Sequence, residues 1–266
     1  MKQWTSLKIQ KSKGGQRLAC LTAYDAGMAR LLDEAGVPLI LVGDSVGNTM
    51  LGYTTTLPVT MVQMLHHTAA VARVVAGSLV VADMPFMSYQ VSDDQALANA
   101  GRFLQEAGAD AVKLEGGTCR AALIRRLVDN GIPVMAHIGL TPQSVMAFGG
   151  YRVQGRLSEE AARLEADAVA VASAGAFSVV LECVPAALAE RITRTIPIPT
   201  IGIGAGAGCD GQILVLHDML GLTPPERSAR FVKRFAELGS AITRATEDYI
   251  REVESGTFPT AEQSYE

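Results

Sequence analysis

Eight short apolar runs, most of them followed by a stretch of helical periodicity, dictate what this chain can fold into. The runs lie at Leu18–Tyr24, Pro38–Asp44, Leu79–Met84, Ala111–Glu115, Pro133–Ile138, Ser178–Cys183, Thr200–Gly204 and Gln212–Leu216. The helical patterns fall at Ala26–Ala35, Thr60–Val75, Ser92–Ala107, Arg120–Asn130, Ser158–Ala174 and Ala186–Thr195. EAGVP, EAGAD, DNGIP and SAGAF each close one helix with a glycine able to take the left-handed C-cap conformation. Strands joined by crossover helices build a parallel sheet, and near-continuous apolar runs fit a sheet covered on both faces. Eight strands is the closing number, so the expected fold is α/β, a (β/α)8 barrel of the TIM type. The alternative is an open doubly wound sheet. It would put a glycine-rich turn after the first strand, where this chain has TAYDAGMA.

A single barrel domain accommodates the 266 residues, with an N-terminal helical extension. Pro225–Val253 reads as one long amphipathic helical stretch of mixed charge, and Glu254–Glu266 as an irregular tail. With net charge −4 and no basic block, nucleic acid is not an expected partner. No apolar stretch reaches the roughly 20 residues of a membrane helix. The start, MKQWTSLKIQKSKGG, has no signal-peptide core. The expectation is a cytoplasmic protein. Cys20, Cys119, Cys183 and Cys209 form no CxxC pair and share no zinc-like spacing with the histidines, so reduced thiols are expected.

Chemistry-bearing residues sit where apolar runs end. Asp44 ends LILVGD, Asp83 stands in LVVADMP, Lys113 and Glu115 in AVKLEGG, and Glu182 in SVVLECVP. Side chains alternate along a strand, so Lys113 and Glu115 point to the same side. In a parallel barrel the carboxyl ends of the strands converge on one mouth. Asp44, Asp83 and Glu115 together offer the oxygen donors that Mg²⁺ or a similar hard divalent ion takes. Each also has an ordinary role: Asp44 as a cap, Asp83 in a turn, Glu115 paired with Lys113 or an arginine. Three neighbouring carboxylates would keep Lys113 protonated, which favours holding a substrate carboxylate over Schiff-base chemistry. Glu182, uncommitted to the metal, is a natural general base; its alternative is an ion pair with Arg152, Arg156 or Arg191. His137 could donate to substrate or serve as a hydrogen-bonded buried histidine. His66 and His67 read as helix-surface or packing groups.

Three loops are rich in functional residue types: SVGNTMLGYTTTLPVT after the second strand, GLTPQSVMAFGGYRVQGR after the fifth and GIGAGAGCDG after the seventh. The second is longer than a connection needs, and loops of that kind are commonly functional. Gly149, Gly150 and Gly155 give it freedom, and Tyr151, Arg152 and Gln154 give it groups to lay on a ligand.

These motifs, in order along nearly the whole chain, resemble the ketopantoate hydroxymethyltransferase family. The resemblance rests on LVGDSVGNTMLGYTTTLPVTMVQMLHHTAAV, ADMPFMSY, VKLEGG, HIGLTPQSVMAFGGYRVQGR, VLECVP and IGIGAGAGCDGQILVLHDMLGL. It implies a barrel like those that bind phosphoenolpyruvate and a homo-oligomer, a decamer. It implies Mg²⁺ on Asp44, Asp83 and Glu115. The oxo acid would lie at Ser45, Asp83 and Lys113, and Glu182 would be the base; with the residue reading above, Asp44 and His137 join the expected substrate contacts. The implied reaction moves a hydroxymethyl group from 5,10-methylenetetrahydrofolate, a co-substrate, to 3-methyl-2-oxobutanoate, giving 2-dehydropantoate in pantothenate biosynthesis. A Mg²⁺-dependent 2-oxo acid lyase or mutase is the competing reading; such lyases place a cysteine on a mobile loop, and the fifth loop here has none.

Overall fold

The near-continuous apolar runs become a closed barrel. A computed structural model describes residues 2–265. The strands are β1 (Leu18–Thr22), β2 (Leu39–Val42), β3 (Leu79–Asp83), β4 (Ala111–Glu115), β5 (Val134–Gly139), β6 (Ser178–Glu182), β7 (Thr200–Ile203) and β8 (Gly211–Leu214). They pair in sequence order, and β1 closes on β8 in a parallel register that sets Leu18 beside Gly211. Closure removes every sheet edge.

The helices are α1 (Ser6–Lys11), α2 (Ala26–Glu34), α3 (Val46–Thr49), α4 (Met61–Ala72), α5 (Asp93–Gln105), α6 (Ala121–Asp129), α7 (Val145–Phe148), α8 (Ser158–Ser173), α9 (Ala186–Thr195), α10 (Leu216–Met219) and α11 (Leu238–Ser255). Local chemistry starts several of them. Asp25 caps α2 through the Met28 amide, and Thr60 and Gln63 form a capping box on α4. The chain divides into two compact units, Met1–Val215 and Leu216–Glu266, and the first holds the whole barrel.

Inside the barrel Leu18, Leu39, Leu79, Ala111, Phe177 and Ile201 pack together, with Ile9 of the N-terminal helix fully buried among them and Trp4 against the cluster. Before β1, α1 thus contributes Ile9 to the barrel core. Val81, Met135 and Val180 belong to the same interior cluster. Two residues beyond each, on the same face, come Asp83, His137 and Glu182; two and four beyond Ala111 come Lys113 and Glu115. The interior is therefore apolar through its lower layers and titratable at its carboxyl end.

The stretch expected as one helix from Pro225 to Val253 is a correction. A 3-10 turn spans Pro225–Arg227, and α11 begins only at Leu238. Between them the backbone bonds elsewhere within the second unit. The Phe235 amide donates to the Met219 carbonyl at 2.8 Å and the Leu238 amide to Leu220 at 2.9 Å. Arg234 donates to the Thr223 carbonyl at 2.8 Å. Long-range pairing overrode a helical pattern. Among the described residues no helix is long and apolar enough to cross a membrane.

Candidate active site

The carboxyl ends of β2 to β6 bring together every residue predicted for the site. Lys113 Nζ lies 2.8 Å from Asp83 Oδ1 and 3.1 Å from His137 Nδ1. Asp83 Oδ2 accepts the Asp44 backbone N–H at 2.9 Å. Lysine thus pairs with the aspartate of the neighbouring strand, not with Glu115 on its own. An ammonium donating to His137 Nδ1 leaves the ring proton on Nε2, and that nitrogen faces Glu182 Oε2 at 3.2 Å. His137, not an arginine, stands nearest Glu182; Arg191 instead pairs with Glu165. Ser45 lies just after β2, its hydroxyl 2.8 Å from that of Tyr24. His67 sits outside this group and bonds the Tyr24 carbonyl through Nδ1 at 2.7 Å.

Glu182 is fixed by a close approach of two strands. Gly139 pairs with it across β5 and β6, and the Leu140 amide donates to its carbonyl at 2.8 Å. A Cβ at Gly139 would stand 2.4 Å from that carbonyl oxygen, so only glycine lets the strands meet there. Cys183, which follows, holds a left-handed φ of 49°. Strain of this kind collects at functional sites.

Asp44, Asp83, Lys113, Glu115 and His137 are all buried, and Glu182 keeps 16% of its side chain exposed. Burial, then the charge on Asp83, pushes the Asp44 carboxyl up to about 7, against the pull of Lys113. Burial and Asp44 push Glu115 well above the usual carboxylate range. Burial pushes Glu182 up to about 7. For Lys113, burial opposes the charge, but Asp83, Glu115 and Asp44 outweigh it and hold the ammonium. His137 is driven well down by burial and then by Lys113, so it is neutral.

Sequence reading missed the group that ties the site together. Gln143, buried on a 3-10 turn Pro142–Ser144 after β5, donates from Nε2 to Asp44 Oδ2 and to the Met84 carbonyl, each at 2.9 Å. Its backbone N–H donates to Glu115 Oε2 at 3.0 Å. Its Oε1 accepts from Tyr89 at 2.7 Å and Gln90 at 3.1 Å. The only available signal was a glutamine beside a proline in a loop that otherwise supplies ligand-facing groups.

Among the described residues no three acidic, histidine or cysteine side chains stand as a ready metal cage. Asp83 is turned to Lys113, and Asp44 and Glu115 to Gln143. The chemistry of the set nevertheless fits a hard divalent cation. Three buried carboxyl groups face one ammonium, two of them held above the usual carboxylate range where a second positive charge would bring them down, and the donors are oxygens.

A family model described as ketopantoate hydroxymethyltransferase matches residues 3–261. The chain belongs to this family. Proteins named 3-methyl-2-oxobutanoate hydroxymethyltransferase from Syntrophus aciditrophicus (strain SB) and from Carboxydothermus hydrogenoformans are each 58% identical to it. The matches span 262 and 261 residues, 98% of this chain in both cases, and 96% and 94% of those proteins. Relatives this similar over their whole length make the chain an enzyme of the ketopantoate hydroxymethyltransferase family. Among solved structures, a phosphoenolpyruvate phosphomutase from Streptomyces platensis subsp. rosaceus superposes with a TM-score of 0.62 at 17% identity, over 95% of this chain and 88% of that one. A phosphonopyruvate hydrolase superposes with a TM-score of 0.63 at 14% identity, over 99% and 93%. These neighbours share the barrel fold.

Proposed function

We propose that the protein transfers a hydroxymethyl group from 5,10-methylenetetrahydrofolate to 3-methyl-2-oxobutanoate, giving 2-dehydropantoate and tetrahydrofolate on the route to pantothenate. The observation that carries the chemistry is Glu182. It is a carboxyl pushed up to about 7 by burial, at the barrel mouth and outside the cluster of three carboxylates. A base poised near neutrality is what removal of an activated C–H needs. The family, and the names of relatives 54% to 58% identical, support the substrate.

Lys113 and the Ser45 hydroxyl hold the oxo-acid carboxylate, with Tyr24 orienting that hydroxyl. Glu182 takes the C3 proton, and the electron pair of the broken C–H bond passes into the enolate. His137, neutral, keeps its Nε2 proton toward Glu182 and the oxo acid. A Mg²⁺ ion held by Asp44, Asp83 and Glu115 would supply Lewis-acid stabilisation of charge developing on the keto oxygen. C3 then bonds to the folate methylene carbon as one of its two C–N bonds breaks, water displaces the second nitrogen and supplies the hydroxyl oxygen, and the proton taken by Glu182 and one from the water go to those two nitrogens as tetrahydrofolate leaves. The exposed apolar side chains of α11 support a homo-oligomer, and the absence of a membrane-length helix among the described residues is compatible with a cytoplasmic enzyme.

The test follows the C3 proton of 3-methyl-2-oxobutanoate by NMR in D₂O, with and without Mg²⁺, then with methylenetetrahydrofolate added. The expected result is metal-dependent exchange that disappears in Glu182→Gln, and product only when folate is present. Exchange surviving in Glu182→Gln would move the base elsewhere, to His137 first. Turnover without folate would favour the lyase reading.

A further inference from the structure

The long loop after β5 builds a cleft of about 530 Å³, lined by Tyr151, Arg152, Val153, Arg156, Leu157 and Glu160. Three features fix its walls. Glu160 Oε2 accepts the backbone N–H groups of Gly155, Arg156 and Leu157, at 3.2, 3.1 and 3.4 Å, which gathers the loop onto the start of α8. Gly155 is buried at φ 86°, with Leu188 and Leu164 where a Cβ would be. The Gln154 amide donates to the Cys183 carbonyl at 2.9 Å, tying the loop to the residue after Glu182. The cleft is therefore anchored beside the catalytic mouth. Tyr151 connects the two: partial burial, then the charges of Glu182, Asp44 and Glu115, hold its phenol above the usual range.

Its lining is also unusual in kind. Tyr151, Val153 and Leu157 are exposed at 58%, 39% and 66%. Among the described residues neither Arg152 nor Arg156 has an acidic partner; the ion pairs of the region lie elsewhere. A tyrosine ring and two aliphatic side chains offer a face to a flat ring system, and two unpaired guanidiniums offer bidentate sites to carboxylates.

We infer that this cleft binds the one-carbon donor, its fused heteroaromatic ring against Tyr151 toward Glu182 and its carboxylate tail on Arg152 and Arg156. The assignment rests on the proposed transferase reading and adds the residues that recognise the second substrate. It also orders the ligand: ring end at the mouth, where the one-carbon unit meets C3, and anionic end outward in solvent.

Calorimetric titration of the full-length protein with tetrahydrofolate, and with tetrahydropteroate, which lacks the glutamate, tests this. In the double variant Arg152→Ala/Arg156→Ala the Kd for tetrahydrofolate should rise about tenfold, since each exposed guanidinium–carboxylate contact is worth roughly threefold to fivefold. The Kd for tetrahydropteroate should not move, and C3-proton exchange of the oxo acid should stay at the wild-type rate. Tyr151→Ala should weaken both ligands alike, and Tyr151→Phe neither. Equal tetrahydrofolate affinity in wild type and double variant would overturn the cleft while leaving the reaction standing. An equal loss for both ligands in the double variant would overturn the tail assignment. Wild-type protein that exchanges the C3 proton but binds no tetrahydrofolate would sink the transferase reading itself.

Discussion

Gln143 holds two carboxylates, and every polar atom of its amide is used. Removing it in Gln143→Ala strands Asp44 Oδ2 and the Met84 carbonyl without that donor and Tyr89 and Gln90 without that acceptor. Unsatisfied buried groups of this kind cost about 1–3 kcal/mol. Denaturant unfolding should show a loss of about 2 kcal/mol with unchanged m-value, accompanied by a raised KM for the oxo acid; an unchanged midpoint would mean that water replaces the amide. Glu182 makes a prediction of opposite sign with pH. An unfolded glutamate ionises near pH 4, whereas the folded carboxyl keeps its proton to about 7. The folded state therefore binds the extra proton between those values, and this group erodes stability as pH rises through that window. Glu182→Gln should gain on wild type by up to about 3 kcal/mol between pH 4.5 and 8, while kcat/KM of the wild type rises with a midpoint near 7. A flat stability difference across that range would show that the carboxyl is ionised throughout. The charged members of the site were legible at this scale because an acid or lysine ending an apolar run is conspicuous. Gln143 and Tyr89 were not, since an amide and a phenol in a loop look the same whether they face solvent or, as here, tie Asp44 and the backbone at Met84 and Glu115 together.

Strands and their closures were legible because burial on both faces leaves a composition that nothing else in the chain shares, and all eight formed within a few residues of expectation. The stretch after Pro225 was misread because its periodicity is local, while the bonds that fixed it reach back to Met219 and Leu220. The segment before β1 is tied to the start of β7 by a carboxylate that the same local reading passed over. Asp210 accepts from the Thr200 amide of β7 at 2.9 Å, from Lys13 at 2.9 Å and from the Gly14 amide at 3.0 Å. Burial alone would raise its carboxyl, but these donors outweigh it and hold the group below the ordinary aspartate range. A depressed carboxyl stabilises the fold above the unfolded pKa near 4 and loses that contribution as pH falls through its own lower value. Asp210→Asn should cost about 2 kcal/mol at pH 7, and the gap to wild type should narrow below about pH 4. Thermal or denaturant melts at pH 7 and pH 3.5 measure both; a gap that stays constant would assign the loss to packing and not to charge.

At the scale of the molecule, the barrel accounts for the first compact unit and leaves α11 in the second with no buried residue. Ile242, Tyr249, Ile250 and Val253 recur along it at helical spacing and are exposed by 56%, 57%, 48% and 46%. Scattered surface apolar groups need no explanation, but a stripe along an 18-residue helix is the kind of face that covers another apolar surface. The proposed homo-oligomer supplies one, a second copy of the chain. The face was only half legible: the amphipathic pattern after Pro225 was visible, but an apolar stripe reads alike whether it covers its own core or another subunit. Sedimentation velocity should find an assembly larger than the 28.1 kDa chain. Ile250→Glu, which puts a charge on the stripe and lies outside the barrel, should shift the distribution toward smaller species. Its effect on C3-proton exchange per chain should be small, because every group proposed to act on that proton comes from the first unit. An assembly unaffected by Ile250→Glu would place the subunit contacts on another surface. Exchange lost together with assembly would make the barrel mouth depend on a neighbouring chain.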